Sequence, residues 1–104
     1  GGGEITAAMV MTQTADYFGL TIEDLRSKDR AQTMVHARHI AMYLCRELIE
    51  MSTTKIGKEF GGKDHTTVMS ASRKISTQMA ERRDTYNQVQ EITARIKQAS
   101  QAPR

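Results

Sequence analysis

Gly61 and Gly62 interrupt an otherwise helical stretch and leave the chain few ways to continue. Glycine tolerates the left-handed backbone that ends helices, so a helix stops here. Before the pair, Ser52 is placed to cap a short helix carrying Ile56 and Phe60. After it, Asp64 is placed to cap a longer helix, expected to reach about residue 81. On a wheel, Val68, Ala71, Ser72, Ile75 and Met79 of that helix share one side and should face the core. Thr66, Ser70, Arg73 and Thr77 fall opposite, with Thr67 and Lys74 adjacent, as a slender, polar, basic face. Short helix, glycine turn, longer helix is the layout of a helix-turn-helix.

The same residues allow a second reading. Gly57, four residues, Gly62 and Lys63 satisfy all but the last place of a phosphate-cradling GxxxxGK[ST] loop. That loop needs a hydroxyl at its last position, to meet magnesium, and a buried strand before it. Asp64 occupies the last position, where it would push a negative charge against a triphosphate. The preceding "STTKI" is too short and polar for a buried strand, and no βαβ pattern surrounds it. The nucleotide-binding reading fails on context.

Elsewhere the periodicity is helical throughout. Ile5, Ala8, Met11, Ala15 and Phe18 predict an apolar stripe on a first helix from Thr6, ended by Gly19. Thr21 is the expected N-cap of a short helix holding Ile22 and Leu25, and "RSKDRAQ" is a polar break. Met34, Ala37, Ile40, Ala41, Leu44, Cys45 and Leu48 give the next helix a broad core face, with Arg38 and Arg46 on or near its other side. Val89, Ile92, Ile96 and Ala99 stripe a final helix starting near Asp84. The expected fold is all-α, a compact bundle of about six helices in one domain over residues 4–104, with residues 1–3 an expression remnant or linker. The single proline, Pro103, and the scarcity of β-branched runs agree with this. No apolar run is long enough to span a bilayer and no leader is expected, so the chain reads as soluble and cytosolic.

Charge is segregated. Residues 26–74 carry ten Lys/Arg against five acids, whereas the remainder has five bases against seven acids. The middle of the chain is thus +5 in a protein of net charge +3. That pattern fits a polyanionic partner, or equally a set of solvated helix faces. In a helix-turn-helix the start of the second helix meets base edges, and here it offers Asp64, His65, Thr66 and Thr67. Asp accepts from cytosine N4, and threonine methyls can touch a thymine methyl. Lys63 stands in the turn where a phosphate would pass.

Other chemistry is thin. One cysteine, Cys45, excludes an internal disulfide and any multi-cysteine zinc module, and its place on an apolar face makes it a small buried hydrophobe. His36 and His39 lie three apart with no further ligand at useful spacing, so exposed helix surface is the expectation and no metal is implied. The first helix has no Lys or Arg, which argues against membrane contact there and for a core or inter-domain role. No catalytic constellation is present, and no enzyme is expected.

The string "IGKEFGGKDHTTVMSASRKI" (56–75) resembles the signature of the C-terminal DNA-binding domain (domain IV) of the DnaA family of bacterial replication initiators, and "RHIAMYLCREL" (38–48) is similar to the helix preceding it. The resemblance covers about Leu20 to Ala80 and implies a Trp-repressor/DnaA-like helical fold. It implies binding of double-stranded DnaA boxes of the TTATCCACA type at the replication origin, one domain per box, in a cytoplasmic, nucleoid-associated protein. Asp64, His65 and Thr66 match positions that read bases in the major groove, and Thr67 one that supports base or backbone contact. Arg30 matches a loop arginine entering the minor groove, and Arg38 a nearby basic contact, more to phosphate than to base. Ser52 and Thr54 match contacts at the start of the first motif helix. No cofactor is implied for this domain; ATP belongs to a nucleotide-binding domain of the intact initiator, whose other domains would be partners.

Several positions depart from that family. Lys63 replaces the usual arginine and loses its bidentate fork. Gln32, His36 and Ala37 stand where Arg, Arg and Pro are common, and Ser52-Thr53-Thr54 replaces Ser-Leu-Pro, which removes the family's proline contact at Thr54. Weaker binding than by an arginine-rich relative, with the box preference kept, is the expectation. Two alternatives are a generic helix-turn-helix transcription regulator, binding a palindrome as a dimer, and a helical protein-interaction module.

Overall fold

A computed structural model describes residues 3–101, which form six helices and no strand. They are α1 (Ala7–Phe18), α2 (Ile22–Arg26), α3 (Gln32–Ile49), α4 (Thr53–Glu59), α5 (His65–Glu81) and α6 (Arg83–Gln101). Gly1, Gly2 and the single proline, Pro103, lie outside the described residues; Gly3 donates its amide to the Ser100 carbonyl at 2.7 Å. No described helix is long and apolar enough to cross a membrane.

Four helix starts are set by a local polar residue. Thr6 accepts from the Met9 amide, Ser52 from the Lys55 amide, and Asp64 from the Thr66 amide. Thr21 and Asp24 cap one another reciprocally at 3.1 and 2.9 Å, so α2 can be only five residues long and still begin firmly. Such caps satisfy amides that have no partner within the helix. α3 starts at Gln32 without a side-chain cap, and for α6 no capping side chain is seen.

α3 is the central element, packed against α1, α2, α4 and α5, while α6 closes the other side against α1 and α5. Ile40, Ala41, Met42, Leu44 and Cys45 of α3 are buried among Val10, Met11, Leu25, Ile56, Phe60, Val68, Ile75, Ile92 and Ile96. Burying each large side chain contributes about 1.5–3 kcal/mol before conformational entropy is counted. Phe60 is the one aromatic ring wholly inside, and it anchors the end of α4 under α5. Cys45 is inside as a hydrophobe; burial, with Glu59 adding repulsion, pushes its thiol up to about 12.

Three expectations change. The α1 face is rotated: Ala8 is exposed, and Val10, Met11, Thr14 and Ala15 form the buried side. Thr14 joins it because its hydroxyl donates to the Val10 carbonyl at 2.7 Å, which satisfies the polar atom within the helix. His36 and His39 are half-buried, not exposed. Arg38, expected on the far side of α3, is only 6% exposed.

Candidate nucleic-acid interface

The turn of the helix-turn-helix is a packing solution. Gly57 is buried inside α4, and a Cβ there would run into the Lys63 carbonyl. Its own carbonyl accepts from the amides of Phe60, Gly62 and Lys63, which folds the turn back over the end of α4. Gly61 and Gly62 both have positive φ, 85° and 79°, and at Gly61 a Cβ would also strike the Arg26 carbonyl. The turn is thereby pressed against the end of α2.

Asp64 follows with extended backbone and opens α5. Its Oδ1 accepts from the Thr66 amide at 3.1 Å and lies 2.9 Å from His65 Nδ1. Those bonds, the amide first, hold its carboxyl below the ordinary range. The contact also selects a tautomer: with the proton on Nδ1, a neutral His65 presents Nε2 as an acceptor. Asp64, His65, Thr66 and Thr67 are all exposed, on one end of one rigid helix. Ser52 and Thr54 are exposed at the start of α4; the Ser52 oxygen caps that helix, which leaves its hydroxyl hydrogen to donate elsewhere.

Arg30 is exposed in the loop between α2 and α3, and its neighbours are tied down. The Asp29 amide donates to Ser27 Oγ at 3.2 Å, and the Ala31 amide to Asp29 Oδ1 at 2.8 Å. Arg38 fastens the same loop from below. Its Nε donates to the Leu25 carbonyl at 2.8 Å, and its two terminal nitrogens donate to the carbonyls of Asp29 and Asp24, each at 3.1 Å. This corrects its expected placement on the outer side of α3. The guanidinium is turned inward, where a cation meets carbonyls at the end of α2 and in the loop after it. Burial lowers its affinity for the proton, with Asp29 partly offsetting this.

Lys63 is engaged in the same way. Its Nζ donates to the carbonyls of Phe60 at 2.7 Å, Ser27 at 3.1 Å and Arg26 at 3.3 Å. Desolvation, then Arg38 and Lys28, pull its ammonium down. Arg26 completes the exchange by donating its Nε to the Glu59 carbonyl at 3.1 Å. The ends of α2 and α4 are therefore capped by cations from each other's surroundings.

The structure brings beside the reading end two residues that the sequence did not assign to the site. His39 and Lys74 join Thr66, Thr67 and Ser70 around a groove beside the start of α5. Both also line a larger cleft of about 580 Å³ with Arg30, Gln32, His36 and Arg82. Burial first, then the charges of Lys74 and Arg38 and the nearby His36, push His39 down to about 4, so its ring is neutral near pH 7. His39 sits between the buried Arg38 and Ile40, at the edge of the core face, and only that position hinted at its place. His36 Nε2 lies 2.8 Å from Gln88 Oε1, which ties α3 to α6. Among the described residues no cluster of three or more His, Cys, Asp or Glu is placed to hold a metal.

Similarity to known proteins agrees with this geometry. The family model described as bacterial dnaA protein helix-turn-helix matches residues 7–75. Over 94 residues, 90% of this chain, the sequence is 60% identical to the chromosomal replication initiator protein DnaA of Cutibacterium acnes. The aligned part is 19% of that relative, so the chain spans about a fifth of its length. Its six helices, its turn and its match over most of its length place this chain in the bacterial DnaA helix-turn-helix family.

Proposed function

We propose that this chain is a sequence-specific binder of double-stranded DNA that recognises DnaA boxes of the TTATCCACA type, one domain per box, and serves replication initiation within a longer protein. The observation that carries the reading is the exposed cluster Asp64–Thr67 on the first turn of α5, with Arg30 exposed on the braced α2–α3 loop. The α5 end enters the major groove. There His65 Nε2 and the Asp64 carboxylate meet amino donors of adenine or cytosine, and the Thr66 and Thr67 methyls meet thymine methyls. Arg30 reaches the narrow minor groove of the A/T end. Ser52 and Thr54 lie against the phosphates of the flanking strand and set the register.

The site asks for no cofactor and no metal, and DNA recognition here involves no bond-breaking step, so the chain acts without catalysis. ATP and further domains belong to the intact initiator, which works in the cytoplasm at the nucleoid. The test is fluorescence anisotropy of a labelled duplex carrying one TTATCCACA box, against a scrambled duplex, over a salt series. A preference that persists as salt rises supports base readout through residues 64–67. Equal binding that fades equally with salt would reduce the basic segment to a phosphate sponge and overturn the reading. Binding only to a paired, palindromic site would favour the dimeric-regulator alternative, and indifference to DNA at moderate salt a protein-interaction module.

A further inference from the structure

Lys63 has the sequence position of a phosphate contact, yet its ammonium is spent on protein carbonyls. All three hydrogens of Nζ have partners within 3.3 Å: Phe60 on the turn side, Arg26 and Ser27 on the loop side. The side chain bridges two segments that each present one of the proposed reading groups. One is the α2–α3 loop, which holds Arg30; the other is the turn that leads directly into Asp64 and His65. Two further contacts join the same segments: the Arg26 Nε bond to the Glu59 carbonyl, and the close seating of Gly61 on the Arg26 carbonyl.

We infer that Lys63 is a positioning residue that fixes the reach of Arg30 relative to the first turn of α5, and that its contribution to DNA binding is made through that geometry. The inference rests on the proposed reading of DNA by Arg30 and α5. It departs from the reading of Lys63 as a phosphate contact, whose loss would weaken binding to all sequences alike. A minor-groove side chain and a major-groove helix engage one box together only if their separation matches the duplex, and flexible elements give up that match. An ammonium engaged with three carbonyls holds the separation, whereas an ammonium facing solvent would give only charge.

The experiment uses the whole chain carrying Lys63→Met, which keeps the aliphatic stem and removes the donors, titrated with the box duplex and the scrambled duplex over a salt series. Box affinity should fall by about tenfold, and scrambled binding by about twofold or less, with an unchanged salt slope. Lys63→Arg, whose guanidinium can donate to the same carbonyls, should restore most of the box affinity. In an Arg30→Ala background, Lys63→Met should cost less than about threefold, because the group it positions is gone. Equal losses on both duplexes with a slope shallower by about 0.9, or fully additive losses in the double variant, would overturn the inference and restore a phosphate contact.

Amide hydrogen exchange of residues 27–31 in the DNA-free protein separates the two levels of the claim. Faster exchange there in Lys63→Met, with α3 and α5 amides still protected, supports the brace in a chain that remains folded; unchanged exchange overturns it. If the unaltered chain shows no box preference, the DNA reading itself fails, and the exchange result alone decides whether Lys63 braces the loop.

Discussion

Arg38 reaches back thirteen residues along the chain to donate its Nε to the Leu25 carbonyl at 2.8 Å. An arginine in the middle of a helix thus finishes the end of another, and it does so at 6% exposure without a carboxylate hydrogen-bonded to it. The charge is tolerated because three backbone carbonyls, those of Asp24, Leu25 and Asp29, surround it.

Removing that guanidinium should therefore hurt the fold more than its charge suggests. Arg38→Met leaves the carbonyls of Asp24, Leu25 and Asp29 without these donors and should lower stability by about 3 kcal/mol. Arg38→Lys should recover only part, since a single ammonium cannot reproduce the fork. Urea unfolding followed by circular dichroism checks both. A near-neutral Arg38→Met would mean that water replaces the guanidinium at low cost.

The glycines of the turn should differ in what they tolerate. Gly57→Ala meets the Lys63 carbonyl inside a buried helix and should cost about 2 kcal/mol or more. Gly61→Ala suffers both its positive φ and the Arg26 carbonyl and should rank with it. Gly62→Ala has open space around it and only the φ penalty, about 1–2 kcal/mol. Denaturation midpoints of the three variants give the order.

His39 should make stability depend on pH below neutrality. Its folded value, about 4, lies below the ordinary 6.5, so the unfolded chain takes up the proton first as pH falls. Its contribution is fully present above the unfolded value and is lost as pH drops from 6.5 through about 4. Between pH 7.5 and 5 the loss should amount to less than about 2 kcal/mol, because solvent reaching the half-buried ring screens the charges that shift it. His39→Gln, which cannot titrate, should flatten that limb, and an NMR titration of the imidazole should find it still neutral at pH 5. An ordinary midpoint near 6.5 would refute the account.

At the reading end, His65→Ala and Thr66→Ala should each relax specificity at one or two base pairs, at about 1–3 kcal/mol for the preferred base. Affinity for a scrambled duplex should hardly change, since neither side chain carries a needed charge. Competition titrations with single-base variants of the box locate the affected positions. A uniform loss across all variants would mean that these residues support α5 without reading bases.

Much of this molecule could be read from local chemistry. Thr6, Thr21, Ser52 and Asp64 marked four helix starts correctly, because an N-cap bonds within three residues and its signal is local. Val68, Ala71, Ser72 and Ile75 faced inward as the period required. The face of α1 was harder, since Thr14 hides its hydroxyl on its own backbone and so passes for a surface residue. The inward bonds of Arg38 and Lys63 were not legible for one shared reason: their partners are main-chain carbonyls, which every residue possesses and no sequence pattern marks. The groove beside Thr66 was equally silent, because it forms where α3 and α5 meet.

Gly57 and Gly62 are required for unrelated reasons, one by a carbonyl that leaves no room and the other by a left-handed backbone. Two independent steric demands, five positions apart, happen to reproduce the spacing of a nucleotide-binding signature. A search on the glycines and lysine alone would collect this turn as a false positive that only Asp64 at the last place excludes, and random drift would not erase the glycine spacing while the turn keeps its shape. Any short helix tucked under its own following turn is open to the same coincidence. Glycine spacing is thus a record of where a backbone has no room or no choice, and what binds there must be read from the residues in between.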